Sequence, residues 1–389
     1  MAAGSEPSSS ADPFRPGVVA VVSENIFWST PKNGCSRPAV RISQDGGATW
    51  SAPSYPWGTR CQDIHALVVW GPNGRLWAGN AVGSGSGVAM SVTHSDNMGK
   101  TWSKPWVEKF TPPWVGCFPS ITVDDWPTSP NFGTVYVAYN WLPNSYGPGV
   151  SVIASRDGSH WAHAEVPLGP APAGYPYAWR LGYRIAAAPD GSAYVSYYES
   201  DLKHWSTANI FAEGSASNVG KRGYAIARIH FYGTSIAISK PAWVVGTDIA
   251  ETQFQSELAV DVNSDAWLAV ESKGKINVGE WGLPRFNLSV AGMYNFKPSL
   301  AISGRTIFVG WHAKDSAGRI WTYYSLSYDG GKTFLAPALV TRATWRNSAA
   351  TDMNGVGLRE DATFSNGVVY YAYGDARSGL GVYLAVIKP

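Results

Sequence analysis

Ionisable side chains recur at one position of a repeated sequence pattern, and their types could support acid–base chemistry. Seven segments each contain a pair of apolar strands joined by a tight turn: residues 18–28, 66–79, 121–138, 185–196, 258–270, 300–310 and 362–372. The residues that precede these segments are Gly17, His65, Ser120, Arg184, Glu257, Ser299 and Asp361. An imidazole in register with a guanidinium and two carboxylates supplies groups that take, give or stabilise a proton. We therefore predict a site where these positions converge.

A second set of charged residues lies two positions earlier. Its members are Arg15, Asp63, Phe118, Gly182, Gln255, Lys297 and Arg359. Because side chains alternate along a strand, residues two positions apart share a face. Burying so many charges around one axis is costly unless they face water or a charged ligand. The uneven distribution of the charges predicts one asymmetric site at the centre of the repeats.

The residues that end the second apolar strand of each pair mix aromatic and polar side chains. They are Thr30, Asn80, Tyr139, Tyr197, Glu271, Trp311 and Tyr373. Aromatic rings stack on the apolar C–H patches of a sugar, and polar groups bind its hydroxyls. We therefore predict a sugar as the ligand. The predicted substrate contacts are Arg15, Asp63, Asn80, Tyr139, Glu257, Lys297, Trp311, Arg359, Asp361 and Tyr373.

The charged candidates also have structural alternatives. His65 could be a hydrogen-bonded histidine of the fold, and Arg184 or Arg180 could pair with Glu257 to join neighbouring repeats. Arg359, Glu360 and Asp361 could form a solvated charge cluster. His312 follows Trp311, so strand alternation points it away from the ring of candidates.

Four copies of a turn motif punctuate the chain. Residues 43–50 and 327–334 read Ser-x-Asp-x-Gly-x-Thr followed by an aromatic residue, residues 95–102 have Asn97 at the Asp position, and residues 155–161 lack one residue. The Asp accepts hydrogen bonds from the turn backbone, and the glycine supplies a positive φ. The motif resembles the Asp-box of the sialidase superfamily, and the resemblance implies that these turns lie on the face away from the ligand site. His94, His160 and His163 lie on or beside these turns and are predicted to be structural.

Spacing between the turns predicts the number of repeats. Trp50 and Trp102 are 52 residues apart, Trp102 and Trp161 are 59 apart, and Trp161 and Phe334 are 173 apart, close to three further repeats. A period of this size is typical of a β-propeller with one four-stranded blade per repeat. With seven strand pairs, we predict an all-β, seven-bladed β-propeller with Asp-box turns. Residues 13–389 would form this single catalytic domain, and the small, polar residues 1–12 would be disordered.

The resemblance to the sialidase superfamily suggests two kinds of enzyme. True sialidases carry a Phe-Arg-Ile-Pro segment, whereas residues 14–16 read Phe-Arg-Pro, and seven repeats exceed the six blades of sialidases. Seven-bladed relatives include polysaccharide lyases that act on uronate-containing chains, and one branch removes the terminal rhamnose of rhamnosyl-α-1,4-glucuronate. The chain looks closer to these lyases, which implies an exo-acting β-elimination at a uronate.

In such lyases a His or Tyr base removes the proton beside the carboxylate, a Tyr acid protonates the leaving oxygen, and an Arg neutralises the carboxylate. By analogy, His65 would be the base, Arg184 and Arg180 would bind the carboxylate, and Tyr183 or Tyr197 would be the acid. A well-placed donor to the developing charge contributes roughly 10²–10³ in rate.

Two other functions stay open at this stage. A sialidase-like hydrolase needs two carboxylates across the sugar, Glu257 with Asp361 or Asp63, at about 5 Å for retention or ~6.5–9.5 Å for inversion. A sugar-binding, lectin-like propeller would instead show similar shallow pockets between all blades. The irregular ring of charges favours an enzyme.

Composition limits the partners. A net charge of +2 gives no support for nucleic acid or an anionic membrane as partner, and no apolar run is long enough to span a bilayer. The N-terminal residues lack the apolar core of a signal peptide, which indicates either a cytoplasmic protein or a mature, secreted form with an added Met1. We expect the secreted form, acting as a monomer. We expect no cofactor and no metal ligand set, with a structural calcium ion as the alternative. Cys35 and Cys61 either pair or remain thiols together with Cys117.

Overall fold

The protein is built from seven antiparallel sheets that follow one another along the chain. The computed structural model describes residues 2–3, 5–24, 38–58, 63–84, 87–108, 119–141, 149–167, 178–201, 222–246, 256–281, 285–346, 360–375 and 381–389. This part of the chain contains no α-helix and one short 3₁₀ turn, Pro72–Gly74. The prediction of an all-β, seven-bladed β-propeller is therefore confirmed.

The strands, numbered in chain order, divide among the blades as follows. The first strand, β1 (Ala2–Ala3), belongs to the last blade. Blades 1 to 3 contain β2 (Ser5–Ala11), β3 (Val19–Glu24), β4 (Ala39–Ser43); β5 (Asp63–Trp70), β6 (Leu76–Ser84), β7 (Gly87–Ser95), β8 (Trp106–Val107); and β9 (Ser120–Val123), β10 (Val135–Trp141), β11 (Gly149–Ser155), β12 (Ala162–Glu165). Blades 4 and 5 contain β13 (Ala178–Ala187), β14 (Ser192–Asp201), β15 (Arg222–Phe231), β16 (Ile236–Ile238), β17 (Ala242–Gly246); and β18 (Ser256–Val260), β19 (Ala266–Ser272), β20 (Lys275–Glu280), β21 (Phe286–Asn287). Blades 6 and 7 contain β22 (Tyr294–Ser303), β23 (Thr306–Lys314), β24 (Arg319–Ser327), β25 (Ala338–Leu339), β26 (Trp345–Arg346); and β27 (Asp361–Ser365), β28 (Val368–Asp375), β29 (Gly381–Ile387).

Apolar side chains on both sides of each blade fill the spaces between blades. Between blades 3 and 4, Tyr136, Tyr183 and Tyr197 are fully buried in one cluster. Between blades 5 and 6, Trp267 and Trp311 fill the corresponding space. Because each blade packs on both neighbours, its strands bury both faces and read as nearly continuous apolar runs.

The N-terminal segment closes the ring, which corrects the prediction that residues 1–12 are disordered. Strand β1 pairs with β29 of blade 7, and β2 is the innermost strand of blade 1. Ser8, Ser9 and Ser10 of β2 are buried, and the Ser10 hydroxyl accepts a hydrogen bond from the backbone of Trp70 in β5 at 2.9 Å. A serine-rich strand has no apolar periodicity, so its hydrogen bonds to the neighbouring blades were invisible in the sequence pattern.

The Asp-box turns follow the third strands of blades 1, 2, 3 and 6. In the first turn Asp45 accepts hydrogen bonds from the backbone N–H and the hydroxyl of Thr49, which hold the pKa of the Asp45 carboxyl at about 2. In the second turn Asn97 keeps the same geometry, since its Oδ1 accepts from Thr101 N at 2.9 Å. We call the end of the propeller that carries these turns the lower face and the opposite end, where the innermost strands begin, the upper face.

Asp124 makes stability depend on pH near neutrality. It is buried in the turn between β9 and β10, and burial raises the pKa of its carboxyl to about 6. A carboxyl group with a higher pKa in the folded state than its unfolded value of about 3.9 takes up a proton on folding between the two values. The protein should therefore gain stability as pH falls from 7.5 through 6. Asp124→Asn should be more stable than wild type at pH 7.5, and this difference should shrink by pH 5. Urea unfolding at both pH values measures it, and a difference that is constant with pH would contradict the assignment.

The described residues include no helix that is long and apolar enough to cross a membrane.

Candidate functional site

One position of the innermost strands ties neighbouring blades together. Aligning these strands on their pairing with the second strands places seven residues in one ring, which we call the belt: Ser8, Leu67, Ser120, Arg184, Glu257, Ser299 and Asp361. In three blades the belt side chain accepts a hydrogen bond from the backbone of the next blade. The donors and acceptors are Ser9 N to Asp361 Oδ2 (3.2 Å), Val68 N to Ser8 Oγ (3.3 Å) and Ile185 N to Ser120 Oγ (3.2 Å). The belt thus fastens the inner strands of the ring.

Arg184 and Glu257 belong to the same belt. Arg184 Nε donates to Glu257 Oε2 at 2.9 Å between blades 4 and 5, and Arg184 Nη1 donates to the Tyr183 carbonyl oxygen at 2.9 Å. Both side chains are less than a tenth exposed. The geometry corresponds to the structural alternative, in which this pair joins neighbouring blades.

Two of the aligned residues occupy other positions than the sequence pattern predicted. Gly17 lies in the turn between β2 and β3 on the lower face, where its carbonyl oxygen accepts from Gly46 N of the first Asp-box at 2.9 Å. Arg15 lies in the same turn, pairs with Asp12 and covers the Trp70 ring at 4.9 Å. The prediction of Arg15 on the upper face is therefore wrong. Residues 18–28 contain β3, the second strand of blade 1, and the innermost strand is β2.

His65 lies above the belt, at a bulge in the innermost strand of blade 2. The pairing of β5 with β6 passes from Ile64 and Ala81 to Leu67 and Gly79, so one extra residue is inserted in β5. His65 has a φ of 60°, in the left-handed region that is costly for a residue with a Cβ, and its side chain is partly exposed. Such strain costs on the order of 1–3 kcal/mol and is concentrated at functional sites.

Blade 6 repeats this bulge with a lysine. The pairing of β22 with β23 passes from Phe296 and His312 to Ser299 and Gly310, and Lys297 has a φ of 52°. Lys297 therefore occupies the position of His65 on another blade of the ring. It is only 5% exposed. A third bulge of the same kind lies in blade 4, between Leu181 and Arg184.

The predicted tyrosine and tryptophan contacts lie in the interior between blades. Tyr183, Tyr197, Tyr139 and Trp311 are at most 1% exposed, and Tyr373 is 5% exposed. The Tyr139 hydroxyl donates to Glu108 of blade 2, and burial together with this carboxylate raises the pKa of the tyrosine. These rings pack the blades against one another, so the sugar-like composition of the third set reflects blade packing.

Asn80 differs from the other members of that set. It lies on β6 opposite the bulge that contains His65, and it is fully buried. Neither its Oδ1 nor its Nδ2 forms a hydrogen bond within the described residues. Buried amides are nearly always satisfied, so Asn80 marks a position where a further polar partner is needed.

Three predicted site residues fall partly or wholly outside the described structure. Arg359 lies outside the described residues, as do Cys35, Cys61 and Cys117. Asp63 and Arg180 are placed in β5 and β13 by their backbone alone. Within the part of the chain that is described, no three His, Cys, Asp or Glu side chains cluster in a way that could hold a metal ion.

A buried cluster between blades 6 and 7 was not among the predicted sites. His312 Nε2 pairs with Glu360 Oε1, and the Tyr371 hydroxyl donates to Glu360 Oε2. Burial, and then the Glu360 charge, raise the pKa of Tyr371 well above its ordinary value. Strand alternation does point His312 away from Trp311, but that direction leads into the next space between blades and not to solvent. A sequence signal for this cluster is Glu360, the acidic residue next to Asp361.

The chain is similar in fold to several solved enzymes that act on carbohydrates. No family-level sequence model matches the chain, and no curated protein matches its sequence. A solved ulvan lyase of polysaccharide lyase family PL25 superposes with a TM-score of 0.60 and 11% identity, over 98% of this chain and 93% of the lyase. An α-L-arabinanase of Penicillium chrysogenum in complex with arabinobiose gives 0.52 and 10% identity, over 81% and 94% of the two chains. A microbial sialidase gives 0.50 and 15% identity, over 95% and 76%. At these identities the similarity shows a shared propeller fold.

Proposed function

We propose that this protein is a polysaccharide lyase that cleaves a glycosidic bond at a terminal uronate by β-elimination. The observation that carries the proposal is His65, a partly exposed histidine held in a left-handed conformation at the upper face. A partly exposed imidazole on a strained stretch of backbone at this face suits a general base. The unsatisfied amide of Asn80 on the adjacent strand suits a sugar hydroxyl or carboxylate as its partner.

Elimination is favoured over hydrolysis because Glu257, which belongs to both candidate carboxylate pairs, and Asp361 are already engaged. Glu257 is paired with Arg184, and Asp361 accepts from the Ser8 hydroxyl and the Ser9 backbone. A glycoside hydrolase needs two carboxyl groups free to act on opposite sides of the sugar bond. The contacts of Glu257 and Asp361 leave neither carboxylate free to act on the sugar bond. An elimination needs no such pair of carboxylates; it requires a base, a cation and a proton donor.

The reaction follows from the acidity of the carbon beside the carboxylate. His65 removes the proton at C5 of the uronate, the electron pair forms the C4–C5 double bond, and the C4–O bond breaks as the leaving oxygen takes up a proton from solvent. The enolate-like charge that develops on the carboxylate needs a fixed cation. Because Arg184 Nε is bound to Glu257, we assign this role to Lys297 at the equivalent bulge of blade 6. A cation in a buried, low-dielectric position stabilises such charge strongly.

The substrate class is supported by one comparison. The ulvan lyase has also been solved bound to -[GlcA(1-4)Rha3S]-. That structure superposes with a TM-score of 0.57 and 12% identity, over 98% of this chain and 94% of the lyase. We propose a chain of glucuronate linked to rhamnose as the substrate here, with cleavage at a terminal rhamnosyl-α-1,4-glucuronate unit.

Incubation with four glycans tests the proposal: ulvan, a rhamnosyl-glucuronate plant gum, arabinan and a sialoside. Sugar release and ultraviolet absorbance are followed together, because only elimination creates the absorbing C4–C5 unsaturated uronate. We expect both signals to rise with one of the uronate glycans and neither with arabinan or the sialoside. Sugar release without absorbance would mean hydrolysis and overturn the proposal. Binding of a glycan without either signal would favour a lectin.

A further inference from the structure

The strongest unexplained feature of the interior is the cluster of His312, Glu360 and Tyr371. The side chains of His312 and Glu360 are completely buried and are in contact through His312 Nε2 and Glu360 Oε1. Glu360 also accepts a hydrogen bond from Tyr371, and His312 Nδ1 is 3.1 Å from Thr322 Oγ1. Each ring nitrogen of His312 and each carboxylate oxygen of Glu360 therefore has a polar neighbour in the cluster.

The burial of His312 and Glu360 among apolar side chains requires a physical explanation. Three aromatic rings enclose His312, with centroid distances of 5.5 Å to Phe296, 6.0 Å to Trp345 and 6.3 Å to Tyr373. In such surroundings two ionisable side chains are costly to remove from water, and well-packed apolar residues of similar volume often do as well for stability. A buried pair of this kind is better explained by the geometry that it fixes.

Both partners lie next to residues of the upper face, His312 through strand pairing and Glu360 through the sequence. Phe296 pairs in register with His312 and directly precedes Lys297. Glu360 lies between Arg359 and Asp361, at the start of the innermost strand of blade 7. The His312–Glu360 pair therefore connects the strained lysine of blade 6 to the first residues of blade 7. A lysine with a positive φ persists only where the surrounding structure stabilises that conformation. The packing of the Phe296 ring on His312, beside Lys297, provides such stabilisation.

We propose that His312 and Glu360 are positioning residues that fix Lys297 and the beginning of β27 relative to each other. The activity part of this inference rests on the proposed function, in which Lys297 binds the uronate carboxylate. The local structural part does not, because it concerns the order of residues 294–303 and 360–365. Neither His312 nor Glu360 contacts the substrate in this assignment.

Three variants separate positioning from general stability. His312→Gln leaves the buried Glu360 carboxylate without its imidazole partner, and Glu360→Gln leaves the imidazole without its carboxylate. The double variant replaces both with neutral amides that can hydrogen-bond to each other and to Tyr371. Hydrogen exchange followed by mass spectrometry needs no substrate. We expect at least ~10-fold faster exchange in peptides covering Tyr294–Ser303 and Asp361–Ser365 in each single variant, and a return towards wild type in the double variant.

Kinetics on a uronate substrate provide the second readout. We expect kcat to fall about 10-fold in each single variant while KM changes less than about 3-fold, with partial recovery in the double variant, because Lys297 stabilises charge that develops in the transition state and a small displacement of such a group can cost up to ~10² in rate. Faster exchange in all blades alike, or exchange unchanged in these peptides, would overturn the positioning role. If wild type has no activity on uronates while the local exchange pattern holds, the proposed function fails and the structural role of the pair stands.

Discussion

His65→Asn is expected to abolish most of the lyase activity and to leave the fold intact. Loss of a general base reduces kcat/KM by roughly 10²–10⁴. Asparagine tolerates the left-handed region better than other residues with a Cβ, so the backbone at φ 60° is preserved. The free energy of unfolding should stay within about 0.5 kcal/mol of wild type. The absorbance assay for unsaturated uronate, together with urea unfolding, measures both effects.

The control for this variant is another histidine on the opposite face. His160 lies in the third Asp-box turn, where its side chain is 90% exposed and pairs with Asp157. His160→Asn should leave kcat/KM unchanged. If His65→Asn keeps more than about a third of wild-type activity, His65 is not the base. His65→Val distinguishes chemistry from strain: it should lose the same activity and additionally lose on the order of 1–3 kcal/mol of stability, because a β-branched residue is strained at positive φ.

The repeat pattern carried enough information to predict the propeller and most of the belt. Ser120, Arg184, Glu257, Ser299 and Asp361 occupy equivalent positions in five consecutive blades, as their spacing from the apolar strand pairs predicted. Each blade buries its strands against both neighbours, so the apolar runs and their turns are strong signals. The distance of 173 residues between Trp161 and Phe334 corresponds to the blades without Asp-box turns.

The predictions for β2 and His65 failed, and the cluster around His312 was missed, because these features depend on pairing and packing between strands, which the pattern of a single sequence does not show. Strand β2 is held by backbone pairing and serine hydroxyls, so it has no apolar signature. The bulge in β5 inserts one residue, and a bulge depends on pairing with the next strand. His65 was therefore aligned with the belt position that Leu67 occupies. Strand alternation also misleads in a propeller, because the two sides of a blade both face neighbouring blades; His312 is buried on one side and Trp311 on the other.

Breaking the Arg184–Glu257 pair is expected to have the largest effect on stability. Arg184→Met leaves the Glu257 carboxylate in the interior without a cation, and Glu257→Leu leaves the guanidinium without an anion. Removing one partner of a buried pair costs about 3–5 kcal/mol. Replacing both with apolar side chains of similar volume should recover most of this loss. Urea unfolding of the two single variants and the double variant completes the cycle, and additive losses would show that the pair is not coupled.

Activity of the double variant decides whether the pair has a second role. If Arg184 only joins blades 4 and 5, the folded Arg184→Met/Glu257→Leu protein should retain kcat/KM within about 3-fold, as expected for a change that leaves the reacting groups in place. If Arg184 binds the uronate carboxylate, kcat/KM should fall by roughly 10²–10³ even when the protein is fully folded. The first outcome agrees with the position of Arg184 in the belt, where Ser8, Ser120 and Asp361 make the corresponding inter-blade bonds. The second would transfer the role of the carboxylate cation from Lys297 back to Arg184, and it would require the Arg184 Nη2 atom to reach the substrate while Nε stays on Glu257.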